Sequence, residues 1–140
     1  MGFNQINDIA ASGMAAQRLR VQLIAANIAN SETTRTPEGG PFRRKDAIFQ
    51  VAPMSDDASA SGSAGVRVSQ VVASTEPFVT RYDPSHPDAN ADGIVLYPNV
   101  NPVEEMVNLT EASRAFDANV AVVRAARTMT LSAIDILRVQ

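Results

Sequence analysis

Cysteine is absent from the 140 residues, and histidine occurs once. Disulfides and thiolate metal sites are therefore excluded, and a zinc or Cys/His catalytic centre has almost nothing to draw on. The lack of cysteine leaves the redox compartment open and is compatible with life outside the cytoplasm. Tryptophan is also missing and aromatics make up 5%, so no large aromatic core is expected. No run of about 18 apolar residues occurs, so no membrane-spanning helix is expected. The N-terminus does not follow a signal-peptide layout: Asn4 and Asp8 come early, and Arg18 and Arg20 come late. A chain of this kind leaving the cytoplasm would need a route without the usual cleaved signal. Net charge is −3, which gives no global reason to expect nucleic acid as a partner. Neither a GxxxxGK[ST] phosphate loop nor a nucleophile elbow is present.

Against these absences stand two long apolar patterns at the ends of a chain large enough for one domain. Residues 5–30 read as helix, with Ile9, Ala16, Leu19, Leu23 and Ala26 on one stripe and Ala10, Met14, Val21, Ile24 and Ile28 on a second. Gly13 costs that helix about 1 kcal/mol against alanine. It is either a site of close backbone approach or simply tolerated. Residues 103–137 read as a second helix. Pro102 suits its first turn, Glu104 and Glu105 suit its positive end, and Asn101 is a plausible N-cap. The series Met106, Leu109, Ser113, Phe116, Val120, Val123, Arg127, Thr130, Ile134 and Leu137 alternates steps of three and four, a heptad stripe. A neighbouring line through Ala112, Ala115, Asn119, Val122, Ala126, Met129, Ala133 and Ile136 is rich in alanine and suits close helix packing. Asn119 on that line needs a hydrogen-bond partner if buried.

Between the helices the chemistry changes twice. Residues 31–45 hold four bases and two acids, with Pro37, Gly39, Gly40 and Pro41 among them. This segment reads as a stiff basic arm. Residues 46–102 hold seven acids and two bases. Within them Ala47–Val51, Gly65–Ala73, Phe78–Tyr82 and Ile94–Tyr97 read as short strands, separated by a Ser/Ala/Gly-rich linker or hairpin loop and a turn-rich loop. The expected class is α+β: long N- and C-terminal helices pairing as a coiled-coil-like hairpin, with a small β-rich insert between them. The divisions are an N-terminal helix over 1–30, an arm over 31–45, an insert over 46–100 and a C-terminal helix over 101–140.

Two helices with two apolar stripes each cannot cover them all on so small an insert. One stripe of each is satisfied by mutual pairing, and the other needs further neighbours. The pattern points to a protein that completes its fold in an assembly, with a compact three- or four-helix monomer as the alternative. Competing chemistry is thin. His86 lies in a loop between prolines. Asp88, Asn90, Asp92 and Gly93 spell the opening of a calcium loop, but its twelfth position is Asn99 rather than glutamate, and the set reads equally as an Asx-rich turn.

Three stretches carry a resemblance. "AANIANSETT", with Asn27, Ala29 and Asn30 followed by Thr33, is similar to the signature closing the first helix of bacterial flagellar axial proteins. "TRTPEGGPFRRK" and "YPNVNPVEEMVNLTEASRAFDANVAVV" resemble, more narrowly, the proximal-rod subunits of the flagellar basal body. Ile28 and Pro102 are small departures from that pattern. The resemblance implies a structural protein, not an enzyme, with no cofactor and no metal. It implies export by the flagellar type III apparatus without a cleaved signal, and helical stacking into a periplasmic drive shaft around an export channel. The implied partners are copies of the chain, other rod proteins, and membrane-ring and export-gate components. Another axial component, or less readily a small calcium-binding or hydrolytic protein, is the alternative. The expected assembly interface comprises Leu19, Leu23, Asn27 and Asn30 on the first helix and Arg35, Arg43 and Arg44 in the arm. On the last helix it comprises Met106, Leu109, Phe116, Val120, Val123, Ile134 and Leu137. Asn27 and Asn30 are expected to close the first helix by bonding its free carbonyls. The arm's bases, with Lys45, are expected to meet acids on neighbouring subunits.

Overall fold

The computed structural model describes residues 3–53 and 64–138. The expected linker over Ser55–Gly65 falls largely outside them. Helix α1 spans Phe3–Ala29, strands β1 and β2 span Lys45–Pro53 and Ala64–Ala73, and β3 and β4 span Val79–Tyr82 and Ile94–Tyr97. Helix α2 spans Pro102–Arg138. The class is α+β, with a helix at each end and the strands between. At 1.5 Å per residue the helices are about 40 Å and 55 Å long.

Each helix end has an identifiable cause. Asn30 returns its side-chain amide to the Ala26 carbonyl at 2.9 Å, and the Ser31 hydroxyl donates to the Ile28 carbonyl at 2.9 Å. Both carbonyls also accept backbone amides, Ala26 from Asn30 at 3.0 Å and Ile28 from Ser31 at 3.2 Å, so each side chain adds a second bond at the helix end. At the start of α2 the Asn101 side chain accepts from the Val103 amide at 3.1 Å, the N-cap that the sequence suggested.

The helices pack on each other in antiparallel sense. Asn27 meets Glu105 at 3.0 Å. Fourteen residues back along α1 and fourteen forward along α2, Gly13 meets Asn119, whose Nδ2 would lie 3.1 Å from a Cβ at Gly13. Close approach is therefore the reason for that glycine. Asn119 bonds the Ala115 carbonyl of its own helix at 3.0 Å, which satisfies its amide group at the contact.

The strands form two separate antiparallel ribbons rather than one sheet, β1 with β2 and β3 with β4. The first ribbon pairs Lys45 with Ala73 through to Pro53 with Ala64, with a bulge at Ile48/Phe49. It lies along α1, where the Val66 amide donates to the Ser12 hydroxyl at 3.1 Å. The second ribbon pairs Val79–Tyr82 with Ile94–Tyr97 and leans on the arm, its Ile94 and Leu96 sharing a cleft with Thr34, Arg35 and Pro41.

Among the described residues the buried apolar side chains are Ala10, Ala16, Ile24, Val95, Ala112 and Ala126, four of the six being alanine. Among the described residues no helix is long and apolar enough to cross a membrane.

Candidate assembly interface and the polar node beneath it

Residues 31–45 leave α1 in a tight excursion rather than an extended arm. The Gly39 amide donates to the Thr36 carbonyl at 3.0 Å, a turn with Pro37 second and Gly39 fourth. The Phe42 amide closes the excursion on the Thr33 carbonyl at 3.0 Å. Gly39 and Gly40 have φ of 90° and 79°, a region costly for any residue with a Cβ. A Cβ added at either would meet nothing within 4 Å, so substitution there acts through the backbone alone. We expect Gly40→Ala to cost about 1 kcal/mol. The readout is roughly fivefold faster hydrogen exchange at the Phe42 amide, with α1 unaffected.

The arm delivers its bases to partners in the same chain. Arg43 donates to the Ser74 carbonyl at 3.0 Å and lies 4.4 Å over the Phe78 ring. Arg35 sits 3.7 Å from Asp88, whose other oxygen accepts from the Thr34 hydroxyl at 2.8 Å. Arg44 donates through Nε to Glu105 at 2.8 Å and through NH1 to Asp46 at 3.3 Å. Desolvation alone would lower the Arg44 pKa, but the bond and charge of Glu105, with Asp46, raise it above its ordinary value. Sequence reasoning assigned these bases to neighbouring subunits; here each has an internal partner.

Glu105 and Asn27 are each 1% exposed. The Asn27 amide donates both to Glu105 and to the Lys45 carbonyl, and its oxygen accepts from the Lys45 amide at 2.9 Å. Asn27 therefore does not cap α1, as expected of it, but ties β1 and α2 to the helix. It lies inside α1 on the face toward α2, so its side chain reaches across rather than along. Asn108 adds a longer bond to Glu105 at 3.4 Å. One buried carboxylate thus gathers the end of α1, the arm and the start of α2. Sequence analysis read Glu105 only as a helix-dipole acid and missed this role.

The fourteen anticipated interface residues divide by position. Leu19, Leu23, Leu109, Phe116, Val120 and Val123 are half-buried, as are Asn30 and Arg44, and Asn27 is buried. Arg35 and Arg43 are exposed, as are Met106, Ile134 and Leu137. The face of α2 turned to α1 is the line Glu105, Ala112, Asn119, Ala126 beside Leu109, Phe116, Val123 and Thr130, all buried or half-buried. Half of the expected heptad stripe is therefore in place and half is displaced by one residue, about 100° around the helix. The line closest to α1 takes small residues, and the larger side chains sit beside it or outside. Outside lie Met129, Leu131, Ile134, Ile136 and Leu137 at one end of α2, and Val103, Met106 and Val107 at the other. An apolar groove of about 540 Å³ between Ile6 and Val122–Ala133 adjoins the first set.

The calcium-like loop is used by the fold. The Asn90 side-chain oxygen accepts from the Asp92 and Ile94 amides at 3.0 and 2.9 Å, and Asp88 holds Thr34 and Arg35. The Ser85 hydroxyl and amide hold the exposed Asp83 carboxyl below its usual range. His86 packs edge-on against Tyr97 and accepts from the Asp88 amide at 3.1 Å.

Comparison with known proteins gives the family. A family model described as flagella basal body rod protein matches residues 8–35, and one described as flagellar basal body rod FlgEFG protein C-terminal matches residues 91–136. The flagellar basal-body rod protein FlgC of Borreliella burgdorferi is 42% identical, over 97% of each chain. The chain belongs to the FlgC family of flagellar basal-body rod proteins. FlgC of Salmonella typhimurium is 39% identical over 97% of this chain and 98% of its own length, and FlgC of Bacillus subtilis 38% over 96% and 97%. In this FlgC-family chain the two matched segments are the ones the node joins, since Asn27 lies in the first and Glu105 in the second.

Proposed function

We propose that the chain is a structural subunit of the proximal rod of the bacterial flagellar basal body. The observation that carries this is its near full-length similarity to FlgC rod proteins. Physical support comes from apolar side chains left outside on α2, which suit a subunit finished by its neighbours. In the assembled rod the paired helices form the core as a coiled-coil-like hairpin over 1–30 and 101–140. The arm over 31–45 and the insert over 46–100 project from it. Copies of the chain and other rod proteins cover Met106, Ile134 and Leu137, and membrane-ring and export-gate components meet the rod's base. The rod crosses the periplasm, surrounds the export channel and passes torque outward, and its subunits leave the cytoplasm without a cleaved signal. Such a role calls for many fixed contacts and no catalytic centre or cofactor.

The test is genetic and structural. Deleting the gene should abolish swimming and leave basal bodies without a complete rod in electron micrographs, and the intact gene should restore both. Normal swimming after deletion would overturn the reading. Met129 and Ile136 are each 71% exposed. The double substitution Met129→Asp with Ile136→Asp should therefore leave the helical circular dichroism unchanged and still abolish swimming.

A further inference from the structure

We propose that the buried polar pair Asn27–Glu105 is the register key of the α1–α2 pairing, choosing one alignment among several that the apolar residues permit. The facing line of α2 repeats every seven residues as Glu105, Ala112, Asn119, Ala126 and Ala133. Opposite it α1 presents Asn27, Arg20, Gly13 and Ile6 at the same interval, and Ile6 does border the groove with Ala126. A slip of one heptad brings Ala112 to Asn27, Ala126 to Gly13 and Ala133 to Ile6. Below Asn27 each level still receives a small side chain: Ala133 replaces Ala126 at Ile6, Ala126 replaces Asn119 at Gly13, and Asn119 replaces Ala112 at Arg20, so apolar packing changes little. The polar level changes completely. Asn27, at 1% exposure, would face a methyl group, and Glu105 would leave the amide that it meets at 3.0 Å. A buried amide and carboxylate left unpaired disfavour the slipped alignment, and a single polar contact at a core position is an attested way to fix helix register. Arg44 and the Lys45 backbone join the same level. The key therefore also sets where the arm and both ribbons sit along the helices. This inference concerns the chain's own fold and does not depend on the rod assignment.

The chain's lack of cysteine allows a direct measurement. Ala25→Cys on α1 and Thr128→Cys on α2, both at exposed positions, carry spin labels for distance measurement by pulsed electron resonance on the full-length protein. The parent should give one narrow distance. Adding Asn27→Leu with Glu105→Leu should keep the helical circular dichroism and produce a second population displaced by about 10 Å, the rise of one heptad. If that double variant loses its helical signal, Asn27→Leu alone is read in the same way. A parent with two distances or a broad distribution overturns the proposal, as does a folded variant with a single unchanged distance. Failure to restore swimming, by contrast, bears on the rod assignment and not on these distances.

Discussion

Replacing Glu105 with alanine should destabilise the folded chain by about 3 kcal/mol, read as a fall in the urea midpoint at constant slope. The carboxylate is buried and accepts from Asn27, Arg44 and Asn108. Its removal strands the Arg44 Nε and one Asn27 proton at a site with little water to replace it. The cost sits at the lower end for a broken buried pair because the Arg44 side chain is 26% exposed and keeps Asp46. Glu105→Gln should cost less, since an amide oxygen in the place of Oε1 can still accept from Arg44 and Asn108. The exposed pair Arg35–Asp88 supplies the contrast. With Arg35 82% exposed and 3.7 Å from its partner, Arg35→Ala should change stability by less than about 1 kcal/mol. A Glu105→Ala midpoint within error of the parent would show that water reaches the node and that its bonds are exchangeable.

The same node marks where sequence reading stopped. Helix ends, strand positions and the N-cap at Asn101 were legible, because caps, turn residues and alternation are local. Which line of α2 meets α1 was not, because periodicity reports where apolar groups lie and not how near the partner helix comes. Gly13, Ala10 and Ala16 let α1 approach closely, and that approach selects Ala112 and Ala126 over Met106 and Ile134. Glu105 looked like an ordinary first-turn acid, because its partner Arg44 lies 61 residues away in sequence. The bases of the arm were visible as a cluster, but their partners within the chain depend on how Pro37, Gly39 and Gly40 fold the segment back. The apolar surplus is readable, because two stripes on each helix exceed what one partner helix covers.

Gly13→Leu should cost about 2 kcal/mol, and its dependence on Asn119 makes it the sharper test of helix separation. A Cβ alone at position 13 would lie 3.1 to 3.3 Å from three atoms of the Asn119 side chain. The larger isobutyl group must therefore push the helices apart or evict the amide from its bond to Ala115. Overpacking of this kind costs about 3 kcal/mol at the upper end of its usual range. Leucine's better helix propensity returns about 1 kcal/mol. If contact with Asn119 is the cause, Asn119→Ala should relieve a substantial part of the loss, so that the double variant is more stable than the sum of the single changes implies. Chemical denaturation of the four proteins gives that coupling directly. Additive losses would mean that α1 and α2 are held apart by something other than this contact, and that the glycine answers to a different neighbour. A large coupling would tie the close approach at Gly13 to the displacement of Met106 and Ile134 to the outside, and so to the surface that the proposed rod neighbours cover.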